Sequence, residues 1–551
     1  MSAGARTVAL ALALLGVACT KQPPAGLVCP DGLVACGATC LDVGADPSNC
    51  GGCGIPCPAD HLCTGGVCQC SGGLSDCNGS CLAPDAGAAT ACASDGAPAL
   101  VTSAPGAYWQ TGGALTAVAG GDVDVTVDDT ASAQVWEGFG GAFNELGWTY
   151  LSLLSPADRA AALDLLYGAD GARFVFGRIP IGASDYAVDR YTDDEVAAGT
   201  DEQLAGFSID RDLTRLVPYV KAVQAVKPNV RLWASPWTPP TWMKQGPFSP
   251  GNMVNPFDGG SMKSDAATLA AYAQYLVKFV QAYAAQGIPL EAISAQNEPS
   301  YTGTYPTCAW TPSTYTTFVG RYLGPAVAAA GLATKIMLGT FNGGGSDRSI
   351  VGGVMGDAAA RAAVDVLGYQ WGMENDVGAA RAYDLPVWQT EHECGNYPWE
   401  TPFDAQAAPN DQAYAVETWG RIRDWIRAGV TAYSAWNMVL DTVGVGIDST
   451  RVWPQNALLT VDTATATLNV TPAYYVFRHL SRFVAPGARV VAVRGGDALA
   501  FRNPGGGLVV VLYNAGAARM MTVEAAGQKL RFSMPAGGWA TVSTGAPNVS
   551  P

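Results

Sequence analysis

The chain has 551 residues, 49% hydrophobic and 14% charged, with a formal net charge of −16 and a sequence pI near 4.6. That length accommodates two or three domains with a sizeable core. The acidic balance, with no basic run, excludes a nucleic-acid partner held through its phosphates.

At the N-terminus, Arg6 and the free amine precede an apolar run from Val8 to Ala18 that is too short to cross a membrane. Residues 1–18 read as a secretory signal peptide. The run ends "LLGVAC", which resembles a bacterial lipobox. That resemblance implies lipidation of Cys19 and a membrane tether rather than a span, although Gly16 leaves plain cleavage open. Thirteen of the 15 cysteines precede residue 93. Twelve remain when Cys19 is set aside, an even number that fits disulfides in an exported segment. "CGGC" at Cys50–Cys53 would also suit half a zinc site, but export and the glycine-rich spacing favour disulfides. The spacing C-x6-C-x3-C-L starts at Cys29 and again at Cys70. Residues 19–82 are therefore expected to form a cysteine-rich, disulfide-rich module, because a small apolar-poor segment needs crosslinks to hold its shape. Residues 83–105, small, polar and proline-containing, read as a linker. Residues 106–132 contain strands that can join a later β domain.

Between 133 and 470, eight strand-like runs alternate with helical stretches. They are "WEGFGGAF", "FVFGRIPI", "VRLWASPW", "EAISAQNEP", "KIMLGTFN", "VDVLGYQW", "LPVWQTE" and "VTAYSAWN". The fifth and sixth also suit a loop and a helix. The clearest helix is "SDAATLAAYAQYLVKFVQAYAAQG", with apolar residues from Leu269 to Tyr283 at helical spacing, Ser264 as its expected cap and Gly287 at its end. Strands alternating with helices predict parallel pairing, and eight of them predict an α/β fold built on a (β/α)8 barrel. Residues 471–551 change to short strands split by glycine turns, an all-β sandwich domain adjoining the barrel. Within that span, "AYYVFRHLSRFV" reads as a helix carrying His479.

Chemistry-bearing residues collect where the barrel strands end. Arg178 and Asp185 flank the end of the second strand, and Trp237 and Trp242 follow the third. Asn297 and Glu298 end the fourth, Glu391 the seventh, and Trp436 and Asn437 the eighth. Barrel enzymes keep their chemistry at this face. Two carboxylates with aromatic platforms suit glycoside hydrolysis, in which one acid protonates the leaving oxygen and the other attacks or activates water. Trp233 and Trp388 are expected to be core. The chain has three histidines. His61 lies in the cysteine module, His479 in the C-terminal helix, and His392 on the strand face opposite Glu391, so a serine triad or a histidine zinc site is not expected. No phosphate-binding glycine loop is present.

The motifs "EGFGGAFNE", "RIPIGASDYAV", "ASPWTPPTWMK", "AQNEP", "WQTE", "AWNMVLD" and "YYVFRHLSRFVAPG" resemble, in order, those of glycoside hydrolase family 30. This family includes glucosylceramidases and endo-β-1,6-glucanases. The resemblance covers about residues 130–545 and implies a (β/α)8 barrel with a β-sandwich built from both ends of the catalytic region. Carried over motif by motif, it implies Glu298 as acid/base and Glu391 as nucleophile; the family's Thr/Ser-Glu ending selects Glu391 over Glu393. It also implies Arg178 as the cation steadying the nucleophile, Asp185 and Trp237 as glycone holders, Asn297 as the amide on the sugar 2-hydroxyl, and Trp436 as the subsite floor. Where some members read "HWY", this chain reads "YQW", which puts Tyr369 and Trp371 at the subsite wall.

The implied function is exported, retaining hydrolysis of β-glucosidic bonds in a β-glucan or glucosylceramide, without cofactor or metal. The expected protein is a monomer that touches membrane only through the lipid anchor. Two alternatives stay open: a non-catalytic carbohydrate-binding lipoprotein on the same barrel, and a β-xylosidase or xylanase of the same family. In the catalytic reading, Arg178 keeps Glu391 ionised, and the charge on Glu391 keeps Glu298 protonated near neutral pH. Cys308 and Cys394, the two cysteines outside the front module, are expected on rim loops, where they could pair.

Overall fold

All eight apolar runs of the middle region form strands, the fifth and sixth included, and they close into one parallel barrel. In chain order they are β1 (Gly138–Ala142), β2 (Phe176–Ile181), β3 (Arg231–Pro236), β4 (Ala292–Ser294), β5 (Lys335–Phe341), β6 (Val366–Tyr369), β7 (Val387–Gln389) and β8 (Ala432–Asn437). β8 pairs back onto β1 with Gly138 opposite Ala432. The computed structural model describes part of residues 29–82, and residues 100–544 other than 112, 249–255, 393–403, 405–409, 445 and 448–454. The signal segment, Cys19, the first part of the expected linker, Glu393 and Cys394 lie outside the described residues.

Local chemistry explains the strands. Three of the five residues of β1 are glycine because its neighbours occupy the space beside it. A Cβ on Gly140 would lie 2.4 Å from the Phe176 carbonyl oxygen. The barrel interior is closed by Phe176, Trp233, Met337, Val366 and Trp388, so Trp233 and Trp388 are core as expected. A larger shell of apolar side chains packs the outer helices onto the strands. The helix after β3 runs Ala266–Ala285. Its N-cap is Asp265, whose carboxylate accepts from the Thr268 N–H, not Ser264. A carboxylate at this position also suits the positive helix end. Gly287 follows the last turn at φ +69, the left-handed position that favours glycine.

Ten strands pair in one continuous order around a second core of Val125, Leu499-flanking Ala498 and Ala500, Val510, Leu512, Phe532 and Val542, among others. Four come from before the barrel (Leu100–Ala104, Ala107–Thr111, Thr116–Val118, Val125–Val135) and six from after it, between Arg489 and Thr544. Leu100–Ala104 falls inside the span expected to be linker. It is instead a strand paired with Gly538–Thr544, and Val101 and Ser103 are fully buried. The helix Pro472–Ser481 follows the barrel, and its Phe477 ring meets Phe139 of β1.

The chain divides into two compact units, Gly96–Val549 and Met1–Asp95 with Ser550–Pro551. Among the described residues of the latter are three short antiparallel hairpins: Val34–Cys36 with Thr39–Leu41, His61–Thr64 with Val67–Cys70, and Ser75–Cys77 with Ser80–Leu82. The complete bridge among them is Cys29–Cys40; Cys63 is also disulfide-bonded.

Candidate active site

Arg178 organises the C-terminal mouth of the barrel. It sits two residues after Phe176 on β2, so both side chains point inward: Phe176 closes the core below, and the guanidinium rises above it. Nη1 donates to Glu391 Oε2 at 2.6 Å, Nη2 to Asn297 Oδ1 at 2.7 Å, and Nε to Ser235 Oγ at 3.0 Å. The guanidinium carbon lies 4.4 Å from the Trp237 ring centroid, 5.1 Å from Trp233 and 5.3 Å from Trp436. The cation is thus fully desolvated yet satisfied by a carboxylate, an amide, a hydroxyl and three π faces.

Each partner is held in turn. Asn297 Oδ1 also accepts from Thr340 Oγ1 at 2.6 Å. Two donors on that oxygen leave the NH2 as the group able to reach a ligand hydroxyl. Glu391 follows β7 by two residues, and its Oε1 accepts from the Trp371 indole N–H at 3.0 Å. Glu298 follows β4 by four residues in a left-handed backbone conformation, φ +47. That conformation costs a non-glycine residue roughly 1 kcal/mol or more and persists only where neighbours impose it. Here its N–H donates to Thr340 O, and its carbonyl accepts from the Tyr301 N–H. The Glu298 carboxyl accepts from Gln370 Nε2 at 3.2 Å. Trp237 and Trp436 stack at 5.3 Å with 17° between their planes, and the Tyr186 ring stands edge-on to Trp436. Asp185, almost fully buried, completes the acidic side of the site.

The electrostatics separate the two glutamates. Burial pushes Glu298 up to about 8, with the charge of Glu391 adding to the rise. Burial also raises Glu391 above its ordinary value, so desolvation outweighs the pull of Arg178 there. Arg178 and the Trp371 indole nevertheless both donate to the Glu391 carboxylate and favour its anion, whereas the donor on the Glu298 carboxyl is a neutral amide. Of the two, Glu298 is the one that keeps a proton near neutral pH.

The structure brings together Arg178, Asp185, Trp237, Asn297, Glu298, Trp371, Glu391 and Trp436. It does not bring Tyr369 in: that ring is buried in the shell outside the barrel, against Phe341. Alternation along β6 turns residue 369 outward and 370 inward, so Gln370 holds the place expected for Tyr369. Trp242 is likewise core, its indole donating to Asp194. Cys308 is a free, fully buried thiol rather than half of a bridge, and burial pushes it up to about 12. His392 is enclosed between the Tyr433 and Thr418 hydroxyls, away from the mouth. Ser235, Thr340 and Gln370 belong to the site but escape a reading of motifs. Ser235 and Gln370 lie in period-two alternation with the inward Trp233 and Val366, whereas Thr340 faces the mouth through a register shift between Leu338 and Phe341.

Residues 136–484 match the glycosyl hydrolase family 30 TIM-barrel domain, and residues 487–542 match the family 30 beta sandwich domain. The endo-1,6-beta-D-glucanase BGN16.3 of Trichoderma harzianum is 30% identical over 412 residues, spanning 73% of this chain and 80% of the relative. Putative glucosylceramidase 3 of Caenorhabditis elegans is 28% identical over 394 residues, 67% of this chain and 70% of the relative. The crystal structure of SrfJ from Salmonella typhimurium superposes with a TM-score of 0.69 at 22% identity, covering 81% of this chain and 98% of that one. The matched domains span more than half of the chain, which therefore belongs to glycoside hydrolase family 30 and is a glycoside hydrolase.

Proposed function

We propose that the protein is an exported, retaining β-glucosidase-type enzyme acting on a β-1,6-linked glucan. The observation that carries the mechanism is the split environment of the two carboxyls. Glu391 is clamped by a buried cation and an indole, while Glu298 is driven toward its protonated form. Glu391 attacks the anomeric carbon as the glycosidic C–O bond breaks, and the leaving oxygen takes the Glu298 proton. Water then attacks the same carbon and passes a proton to Glu298 as the bond to Glu391 breaks. Trp237 and Trp436 floor the glycone subsite, Asn297 and Asp185 hold its hydroxyls, and Trp371 walls it. The glucan reading is supported by the 30% identity to a protein named an endo-1,6-β-D-glucanase and by the export signals in the sequence. Cys19 lipidation and a disulfide-crosslinked module over residues 19–82 would hold such an enzyme at the cell envelope.

The test is hydrolysis of β-1,6-glucan, glucosylceramide and aryl β-glucosides side by side, with the first-formed anomer read by NMR. Turnover of the glucan with a β product supports the reading. A first-formed α anomer overturns retention, and turnover of glucosylceramide alone overturns the substrate. No turnover of any β-glucoside, with measurable glucan binding, would return the chain to a carbohydrate-binding role.

A further inference from the structure

Two consecutive residues after β6 hold the two carboxyls. Gln370 is extended, φ −149 and ψ 169, and its side-chain N–H donates to Glu298 Oε1 at 3.2 Å. Trp371 is left-handed, φ +51, and its indole donates to Glu391 Oε1 at 3.0 Å. Neighbours on a regular strand point to opposite faces; the left-handed residue breaks that alternation, so both side chains reach the mouth. Gln370 is fully buried. Its backbone N–H donates to Phe341 O, and its side-chain oxygen accepts from Thr390 Oγ1 at 3.0 Å. Thr390 directly precedes Glu391. The amide therefore joins the residue beside one catalytic carboxyl to the other carboxyl, across β6.

We propose that Gln370 is a positioning residue: it decides which oxygen of Glu298 carries the transferred proton, and it stabilises the carboxylate between the two half-reactions. This rests on Glu298 being the acid/base. The Gln370 N–H already occupies Oε1, so the proton of the neutral acid sits on Oε2. In the first step Oε2–H protonates the departing oxygen while Glu391 bonds to the anomeric carbon. In the second, Oε2 takes the proton of the attacking water as the bond to Glu391 breaks. An amide neither gains nor loses a proton over this cycle, so the same N–H faces Oε1 in both states. The Thr390 hydroxyl, donating to the amide oxygen, keeps the NH2 end turned toward Glu298.

The test uses Gln370→Met, Thr390→Val and, as a control, Glu298→Ala, each in the full chain. kcat/KM is measured against pH on aryl β-glucosides with good and poor leaving groups, and folding is checked by thermal melting. Loss of a hydrogen bond to the anion should move the alkaline pKa of Gln370→Met up by roughly one unit. Turnover of the poor leaving group should fall roughly 10-fold, and the activated glucoside should be spared. Thr390→Val should move both readouts in the same direction by less, and it decides the matter if Gln370→Met does not fold. An unchanged alkaline limb with an equal loss on every leaving group would show that Gln370 only packs, and would overturn the proposal. Its failure is separable from that of the acid/base assignment. If Glu298→Ala lost activity equally on all leaving groups and azide restored none, Glu298 itself would be misassigned and the role of Gln370 would fall with it.

Discussion

The barrel has an arginine–carboxylate cluster at each end, built from the same parts. At the N-terminal end, Arg231 donates to Glu137 at 2.9 Å and to Glu291 at 2.6 Å, Lys335 reaches Glu291 at 3.0 Å, and the Trp388 indole donates to Glu137. The guanidinium lies 4.2 Å from the Phe176 ring centroid. At the C-terminal end, Arg178 pairs with Glu391 over three indole rings. Charge balance and water separate the two. The lower cluster sets two cations against two anions, and its arginine is 29% exposed. Burial raises Glu291, but Arg231 and Lys335 outweigh it and bring that carboxyl below its ordinary value. The upper cluster sets one fully buried cation among Glu391, Glu298 and Asp185. A balanced, wetted cluster can only staple strands together. A dry cluster short of positive charge must keep a proton, and that proton is available for chemistry.

The largest effect should come from the carboxylate at the heart of the upper cluster. Glu391→Ala is expected to lower kcat by on the order of 10⁴-fold or more on every substrate. Added azide should then yield α-glycosyl azide, whereas Glu298→Ala should yield the β form. A reversed pattern would mean that the acid and the nucleophile are exchanged.

Removing the cation comes next. Arg178→Ala should cost on the order of 10²- to 10³-fold in kcat, because it leaves a developing charge without its fixed partner. It should also raise the acidic limb of the pH profile, since Glu391 loses the charge that favours its anion. Arg178→Lys should recover little, lacking the fork that reaches Glu391, Asn297 and Ser235 together. The counterpart change below, Arg231→Met, should leave kcat/KM unchanged; a matching loss would show that the two ends are not functionally distinct.

The pH dependences should have opposite signs at the two ends. Burial pushes the Glu298 carboxyl up to about 8 from an ordinary 4.5. Activity that needs its proton should fall as pH rises through about 8. Its contribution to stability is fully present below about pH 4.5 and is lost as pH climbs to about 8. Glu298→Gln, which stays neutral, should therefore melt higher than the wild type at pH 8 and show no such advantage at pH 4. Equal melting shifts at both values would mean that the carboxyl is not held protonated by the fold.

The smallest effect belongs to the lower cluster. Glu291 lies below its ordinary value, so its stabilisation is present above the usual carboxylate range and is lost as pH falls through the lowered value. Because the cluster is partly wetted, Arg231→Met should cost only about 1 kcal/mol, read from denaturant unfolding at neutral pH. That cost should shrink below pH 4.

Much of the fold was legible because it rests on local pattern. The strand runs, the long helix and the change of texture after the barrel are periodicities that a window of ten residues contains. So was the place of Glu298 and Glu391 at the barrel mouth, because each sits in a motif at a strand end. The misreadings share a cause. Ser264 and Asp265 are both good caps, and only the backbone angle at the helix start selects one. Leu100–Ala104 looks like linker because its partner strand, Gly538–Thr544, lies more than 400 residues away in sequence. Cys308 looked like half of a rim bridge because its burial depends on the packing of a whole loop.

Local pattern in the sequence thus specified the alternating strands and helices and the place of Glu298 and Glu391 at strand ends. The tertiary structure alone decided which neighbour of each motif faces the mouth. It turned Tyr369 into the outer shell and Gln370 onto Glu298, and it bent Trp371 onto Glu391 through a left-handed residue. It also divided the carboxyls by surroundings, one beside a desolvated guanidinium and the other beside an amide. Both decisions depend on how eight separate strands close on one another. Water exclusion and facing are set by those long-range pairings, and no short stretch of sequence contains them.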